Sequence, residues 1–386
     1  MLALLFWLFV LASLYSYFIY PLLLWWRMRG QPAPVYAAAG EAAQAADAGL
    51  PRLSLIITAH NEAARIRAKL DNALAVEYPR EHLEILVASD CSTDDTDAIV
   101  AEYAGQGVKL ARADQRLGKE YAQLCAIRVA SGDILVFSDV ATEIPADALT
   151  RLVRYFDDPQ VGAVSSEDRF ISQAGKVGGE GLYVRYEMWL RRLESGAAGL
   201  VGLSGSFFAA RRTVCEDWDI QSPSDFNTAL NCARQGLRGV TAPDVLGYYR
   251  DLKDPAREYQ RKVRTVLRGM TGLGRHPEVL NWREYGWFAH QVIGHKLLRW
   301  LVPWALAGVF LCNLGLLGHG GFYTLTFWAQ LLFYGTALAA HLRPALQAIG
   351  PVRIIYFFVQ VNVAIAQAGV QYLSGKRMTV WQPSAR

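Results

Sequence analysis

Four short apolar runs lie within residues 52–139, three of them ending on a polar residue, with helix-forming segments between them. The runs are Leu53–Thr58, Leu83–Ser89, Val108–Ala111 and Ile134–Asp139. They are rich in β-branched residues and four to seven residues long, so they read as buried strands. Glu62–Ala73, Thr93–Tyr103 and Lys119–Ala130 read as the helices between them. This alternation predicts an α/β fold: a parallel sheet with helices on both faces. Right-handed crossovers bring the carboxyl ends of such strands to one edge, where open α/β sheets bind ligands. His60-Asn61-Glu62, the run from Ser89 to Asp95, and Ser138-Asp139 all fall at that edge. A lone aspartate there is commonly a cap for the next helix. Three polar strand ends together predict a nucleotide or metal site.

Further along, Pro145–Phe156 reads as a helix, Val161–Ser165 as a strand and Tyr183–Leu193 as an amphipathic helix. The glycines of the stretch from Gly199 to Arg212 permit close backbone approach to a ligand, or make a tight surface turn. Ser224 opens a helix to about Gln235, with Asp225 in its first turn, where the helix dipole stabilises an acid. Arg257–Arg268 is a strongly basic helix that places Arg261, Arg264 and Arg268 on one face. That face suits a diphosphate or anionic lipid headgroups, or is simply solvated.

The 386 residues suffice for one soluble domain plus membrane segments, and the 52% of hydrophobic residues cluster before Arg27 and after Leu297. Leu2–Trp26 is charge-free and long enough to cross a bilayer. Arg27 and Arg29 place its far end in the cytoplasm. A signal peptide would carry a basic start and a shorter apolar core. Residues 1–29 are therefore the expected anchor and 30–51, with Pro32 and Pro34, a linker. Residues 281–300 mix tryptophans with basic residues, as a helix in the membrane interface would. Within 301–373, Leu301–Leu317, Phe322–Ala340 and Ile354–Leu373 are spanning candidates, followed by a tail at 374–386. Four full crossings would leave Lys376 and Arg377 outside, so either one segment does not cross fully or the tail breaks the positive-inside rule. Gln360, Asn362, Gln367 and Gln371 are expected to face protein or a cavity.

The five cysteines form no C-x-x-C pair, which predicts neither a zinc site nor a disulfide framework and fits a reducing compartment. A net charge of +4 fits phosphate or anionic-lipid contact, and fits a solvated basic face equally. No nucleic-acid partner is expected. Few spans and no internal repeat argue against a transporter.

Taken in order, these residues resemble membrane-integrated family 2 glycosyltransferases with a GT-A fold, the group that includes cellulose and hyaluronan synthases. Thr58-Ala59-His60-Asn61-Glu62 resembles that family's first motif, and Ser89-Asp90-Cys91-Ser92-Thr93-Asp94 its S-D-G-S-T-D motif. Arg116-Leu117-Gly118-Lys119 is similar to its Gly-Lys motif, and Asp139 matches the first Asp of D-x-D. Ser224-Asp225 falls where the family carries E-D, and Gly205 with Arg211 looks like the acceptor-side loop. Gly375-Lys376-Arg377 with Trp381 resembles the family's C-terminal tail.

The resemblance implies a GT-A domain at 52–280, facing the cytoplasm of a bacterial inner membrane. It implies inverting transfer of a sugar from a nucleotide-sugar donor, with UDP as the expected nucleotide, to a lipid-linked or glycan acceptor. Glu62, Asp90, Lys119 and Asp139 would bind the donor, Asp139 would hold Mg²⁺ or Mn²⁺, and Asp225 would be the base. Arg261 and Arg264 would neutralise the leaving diphosphate. Membrane lipids and a polysaccharide-export machine are further expected partners.

Two departures stand out. Ala141 replaces the second Asp of D-x-D, which predicts a weakened or absent metal requirement. Only Arg264 survives from the Q-x-x-R-W motif of processive synthases, which argues for transfer of one or a few sugars. A processive polysaccharide synthase, and a silent nucleotide-sugar-binding scaffold in an envelope-polysaccharide complex, stay open as alternatives.

Overall fold

The computed structural model describes residues 1–30, 49–171, 182–250 and 255–378. Nearly all of the expected linker, and Trp381 of the tail, lie outside the described residues. The chain opens with helix α1 (Leu2–Met28). It continues through β1 (Leu53–Ala59), α2 (Ile66–Leu74), β2 (Leu83–Ser89), α3 (Thr96–Glu102), β3 (Val108–Arg112), α4 (Lys119–Val129) and β4 (Ile134–Asp139). Next come α5 (Ala148–Val153), β5 (Val161–Ile171), α6 (Leu182–Ala197), β6 (Phe207–Arg211), α7 (Ser224–Arg234) and β7 (Arg238–Arg250). Helices α8 (Pro255–Arg275), α9 (Trp282–Gly315), α10 (Gly321–Leu342) and α11 (Gly350–Leu373) complete it. Residues 24–253 and 271–291 fall in one compact unit, and residues 1–23, 254–270 and 292–377 in another.

The first unit is an α/β fold built on a sheet of order β3-β2-β1-β4-β6-β5-β7. Strands β1–β4 pair in parallel, as their alternation with helices predicts. Every residue of β1 is buried, because both faces of the sheet are covered. Leu55, Ile57, Val87 and Val136 join the core on one face together with Ile66 and Leu70 of α2. Ile56, Leu86 and Phe137 join the core on the other with Ala122 and Ala126 of α4. There Phe137 stacks on Phe208 at 4.8 Å and on Trp218 at 5.0 Å.

The sheet is mixed rather than parallel throughout. Strand β6 runs antiparallel to both β4 and β5, a reversal hidden in the glycine-rich stretch before it. Strand β7 pairs in parallel with β5 and takes up three extra residues, Pro243-Asp244-Val245, at a register shift opposite Ser166 and Glu167. A proline confined to a bulge is compatible with a strand but masks it in the sequence.

In the second unit, α1 and α9 lie antiparallel. Phe6 packs on Val309, Cys312 and Leu316. Gly294, Gly308 and Gly315 of α9 face Tyr20, Phe9 and Leu2 so closely that a Cβ would come within 2.6, 2.6 and 2.8 Å of them. Small residues at such an interface let helix backbones approach in a membrane. Gly308→Leu is therefore expected to cost about 1–3 kcal/mol through overpacking, read as a lower melting temperature in detergent.

Among the described residues, three helices are long and apolar enough to cross a membrane: Leu2–Met28, Trp282–Gly315 and Gly350–Leu373. The chain thus has integral-membrane character. The expected interfacial helix at 281–300 is not a separate element, since α9 runs through it to Gly315 with a break at Gly286 and a π-helical turn at Ile293–Leu297. The helix continues past Pro303, which lies inside it. The candidate at Phe322–Ala340 is helical, but its threonines and Gln330 leave α10 less apolar than the three. Asn362 is buried, and Gln367 accepts a hydrogen bond from the Tyr259 hydroxyl at 2.7 Å.

Residues 255–270 of α8 cluster with these helices, and residues 271–275 with the α/β unit. Val263 and Leu267 form an apolar stripe that packs on Ala364 and Ala368 of α11. Lys262 lies 4.5 Å over the Phe357 ring.

Candidate active site

Strands β1 and β2 end side by side, with Ala59 opposite Ser89. The two loops that follow are stapled together. The Asp90 amide donates to the Ala59 carbonyl at 2.9 Å, and His60 Nδ1 lies 2.7 Å from the Asp90 carbonyl. Asn61 Oδ1 accepts from the Thr93 amide, and the Glu62 amide donates to Thr96 Oγ1, both at 2.8 Å. Glu62 is itself buried, and its carboxylate pairs with Arg65 at 2.5 Å.

Asn61 and Cys91 turn the chain with φ of +53° and +50°. A left-handed backbone costs an ordinary side chain about 1–2 kcal/mol. Cys91 Sγ offsets part of this by donating to the Ala113 carbonyl at 3.2 Å. Cys91→Gly is expected to stabilise the fold by about 0.5–1 kcal/mol, measurable by denaturant unfolding.

These turns deliver Asp90. Its Oδ1 accepts from the Gly118 amide at 3.1 Å, while Oδ2 is buried with no hydrogen-bond partner among the described residues. Native structures leave few buried acceptors unmatched, so Oδ2 is poised for a ligand donor. Next to Gly118, at the start of α4, buried Lys119 reaches across the sheet edge. Its Nζ donates to Asp139 Oδ1 at 2.6 Å and to the Gly205 carbonyl at 2.9 Å. The Asp139 amide donates to the Ser206 carbonyl at 2.9 Å, which joins the end of β4 to the loop before β6. Because β6 is antiparallel, that loop lies at the same edge. A Cβ on Gly205 would stand 3.6 Å from Asp225 Oδ2, in the first turn of α7. The Leu203 amide donates to the Asp225 carbonyl at 3.2 Å. Asp90, Lys119, Asp139, Gly205 and Asp225 thus form one connected row.

Of the other expected site residues, Arg211 lies elsewhere in this unit, and Arg261 and Arg264 belong to the other unit. Arg211 pairs with Ile134, at the opposite edge of the sheet from Asp139. Its guanidinium donates to the carbonyls of Val161, Phe156 and Asp158, a structural use at that edge. Arg261 and Arg264 sit on α8 in the unit of apolar helices. Arg261 pairs with Glu258 at 3.4 Å. Burial, with Arg268 and Arg261 close by, weakens the hold of Arg264 on its proton.

The family model described as glycosyl transferase family 2 matches residues 54–218, which span β1 to β6 and most of this row. An N-acetylglucosaminyltransferase of Rhizobium leguminosarum bv. trifolii is 31% identical over 128 residues, 31% of this chain and 69% of that protein. The chain belongs to glycosyl transferase family 2. A β-monoglucosyldiacylglycerol synthase of Nostoc sp. (strain PCC 7120) is 27% identical over 186 residues, 46% of this chain. The chain spans 40% of that synthase's length. A solved mannosyltransferase from Pyrobaculum calidifontis, in complex with GDP-Man and Mn²⁺, aligns over 98% of this chain and 100% of its own. Its TM-score is 0.72 at 25% identity.

A metal ion fits this family-2 site only with help from a ligand. Among the described residues no group of three His, Cys, Asp or Glu side chains stands ready for one. Asp139 is a single hard oxygen ligand, about one-quarter exposed, with Ala141 beside it. Mg²⁺ is commonly held by one or two carboxylates plus substrate phosphates and water, which this donor set allows.

The structure adds two residues that the sequence reading did not single out. Lys69 of α2 lies beneath the Asp139 turn, with Nζ donating to Ser138 Oγ at 2.8 Å and to the Thr142 carbonyl at 2.5 Å. Burial pulls its ammonium down to about 7, against the opposing pull of Asp139 and Glu143. Its signal was positional, since Ile66, Lys69, Leu70 and Ala73 share the buried face of α2. Asp168 accepts from the hydroxyls of Ser204 at 2.7 Å and Ser206 at 2.5 Å, and burial raises its pKa. It was missed because β5 runs past Ser165, where the strand was expected to end.

Proposed function

We propose that this chain is an inverting glycosyltransferase that moves a sugar from a nucleotide sugar to a lipid-linked or glycan acceptor at a membrane face. The observation that carries this reading is the Lys119 bridge, which ties Asp139 to Gly205 beside Asp225 and is contiguous with Asp90 through Gly118. Asp90 Oδ2 accepts from the ribose or base of the donor. Lys119 neutralises the diphosphate from a fixed position, a preorganised arrangement that needs no rearrangement as charge develops. Asp139 would hold Mg²⁺ or Mn²⁺, which when bound neutralises further charge on the leaving diphosphate. Asp225 takes the proton of the acceptor hydroxyl. Attack from the face opposite the leaving group inverts the anomeric centre.

The acceptor class rests on two supports. Apolar helices precede and follow the α/β unit in the sequence, and the Nostoc relative is by name a β-monoglucosyldiacylglycerol synthase. The solved mannosyltransferase, in complex with GDP-Man and Mn²⁺, supports a nucleotide sugar with metal as donor. Antiparallel α1 and α9 carry Arg27 and Arg283 at the same end, and Arg27 lies 4.5 Å over Trp287. The positive-inside rule assigns that end, and the α/β unit, to the cytoplasm. The absent Gln and Trp around Arg264 favour one or a few transfers over processive synthesis. Ala141 favours one rival, a nucleotide-sugar-binding scaffold without turnover.

The test uses the full chain in detergent with membrane lipid extract and radiolabelled UDP-glucose, UDP-N-acetylglucosamine or GDP-mannose. Label is expected to enter the organic phase from one donor, with a β-linked product by NMR. Label in an insoluble polymer, or a retained α configuration, contradicts this reading.

A further inference from the structure

The row of site residues accounts for one of the two lysines near Asp139. Lys119 approaches from α4, whose residues join the core on one face of the sheet, and touches the carboxylate directly. Lys69 approaches from α2, whose residues join the core on the other face. It is 3% exposed and occupies a position that an apolar residue would fill at far lower cost, since a buried ammonium must be fully solvated by the protein. Its neighbours Ile66, Leu70 and Ala73 on that helix face are apolar and buried.

What Lys69 holds is specific. Ser138 precedes Asp139, and Thr142 closes the turn that follows it, with the Thr142 amide donating to the Asp139 carbonyl at 3.1 Å. By donating to Ser138 Oγ and to the Thr142 carbonyl, one ammonium clamps both ends of the Asp139–Thr142 turn. The charged groups facing it are Asp139 and Glu143. With Ala141 in place of a second carboxylate, this turn presents one acid to the diphosphate, so the placement of that acid counts for more.

We propose that Lys69 is a positioning residue for donor binding: its buried ammonium fixes the turn that presents Asp139 to the diphosphate of a nucleotide sugar. This rests on the reading of Asp139 as the diphosphate-side carboxylate. Lys69 does not touch the donor. Without the clamp the turn loses its fixed geometry, and a misplacement of about 1 Å is enough to cost a site roughly 100-fold.

The test compares the full chain with Lys69→Met, Ser138→Ala and Asp139→Asn in detergent with Mn²⁺. Calorimetry measures UDP against uridine, and GDP against guanosine. Lys69→Met is expected to weaken the tighter-binding diphosphate about tenfold or more and its nucleoside less than about twofold. Ser138→Ala removes a single oxygen of the clamp and carries the same test should Lys69→Met not fold; its expected loss of diphosphate affinity is about threefold to tenfold. If nucleoside and diphosphate weaken together alongside a lower melting temperature, Lys69 merely supports the fold and the proposal is wrong. If Asp139→Asn loses the diphosphate while Lys69→Met and Ser138→Ala keep it, Lys69 has no positioning role and the reading of Asp139 stands. If Asp139→Asn keeps the diphosphate, that reading fails and the proposal with it.

Discussion

Asp225→Asn is expected to lower sugar transfer by roughly 100- to 10,000-fold, the range set by loss of a general base. Donor affinity is expected to stay near that of the parent chain. The change keeps the size of the side chain and removes only its capacity to take a proton. Asp225 sits in the first turn of α7, where the Asn227 amide donates to the Pro223 carbonyl at 2.8 Å and the Leu203 amide to the Asp225 carbonyl. Those backbone bonds do not depend on the carboxylate, so the fold is expected to survive. Binding of the donor by calorimetry, beside turnover by scintillation counting, separates the two effects. Transfer within about threefold of the parent would assign the base elsewhere.

Asp139→Asn is expected to cost about 100- to 1,000-fold in turnover, as loss of a preorganised charge-stabilising group does. Diphosphate affinity and the response to Mn²⁺ are expected to fall with it. The substitution also strips Lys119 of its 2.6 Å ion pair, leaving the Gly205 carbonyl as a partner for its Nζ. Loss of one partner from a largely buried pair costs about 1–3 kcal/mol, so a modest drop in melting temperature accompanies the kinetic loss. A mere stability effect would fall away at low temperature, whereas the loss of turnover is expected to persist.

Much of this site was legible in the sequence because β1, β2 and β4 are continuous apolar runs whose ends are plain. Once those ends share an edge, Asp90 and Asp139 follow, and Lys119 follows from the start of α4. Arg211 misled for a physical reason. It is only six residues from Gly205, but a strand carries the chain straight across the sheet, so those residues end at opposite edges. Arg261 and Arg264 were visible as a basic face. What the sequence did not display was that the stripe beside it, Val263 and Leu267, finds its partner in α11 nearly a hundred residues later. Strand β7 was hidden by Pro243, which a bulge accommodates. Lys69 was open to discovery, since a lysine between Ile66 and Leu70 on a buried helix face needs an explanation.

The most direct test of the central claim is nucleoside diphosphate release by the full chain in detergent. UDP-glucose, UDP-N-acetylglucosamine and GDP-mannose are each supplied with membrane lipid extract, in Mn²⁺, in Mg²⁺ and in chelator. Release from one donor, raised by metal and lost in both Asp139→Asn and Asp225→Asn, is the predicted result. Nucleotide that binds to the parent chain but is never released as diphosphate from any donor would contradict catalysis by this site.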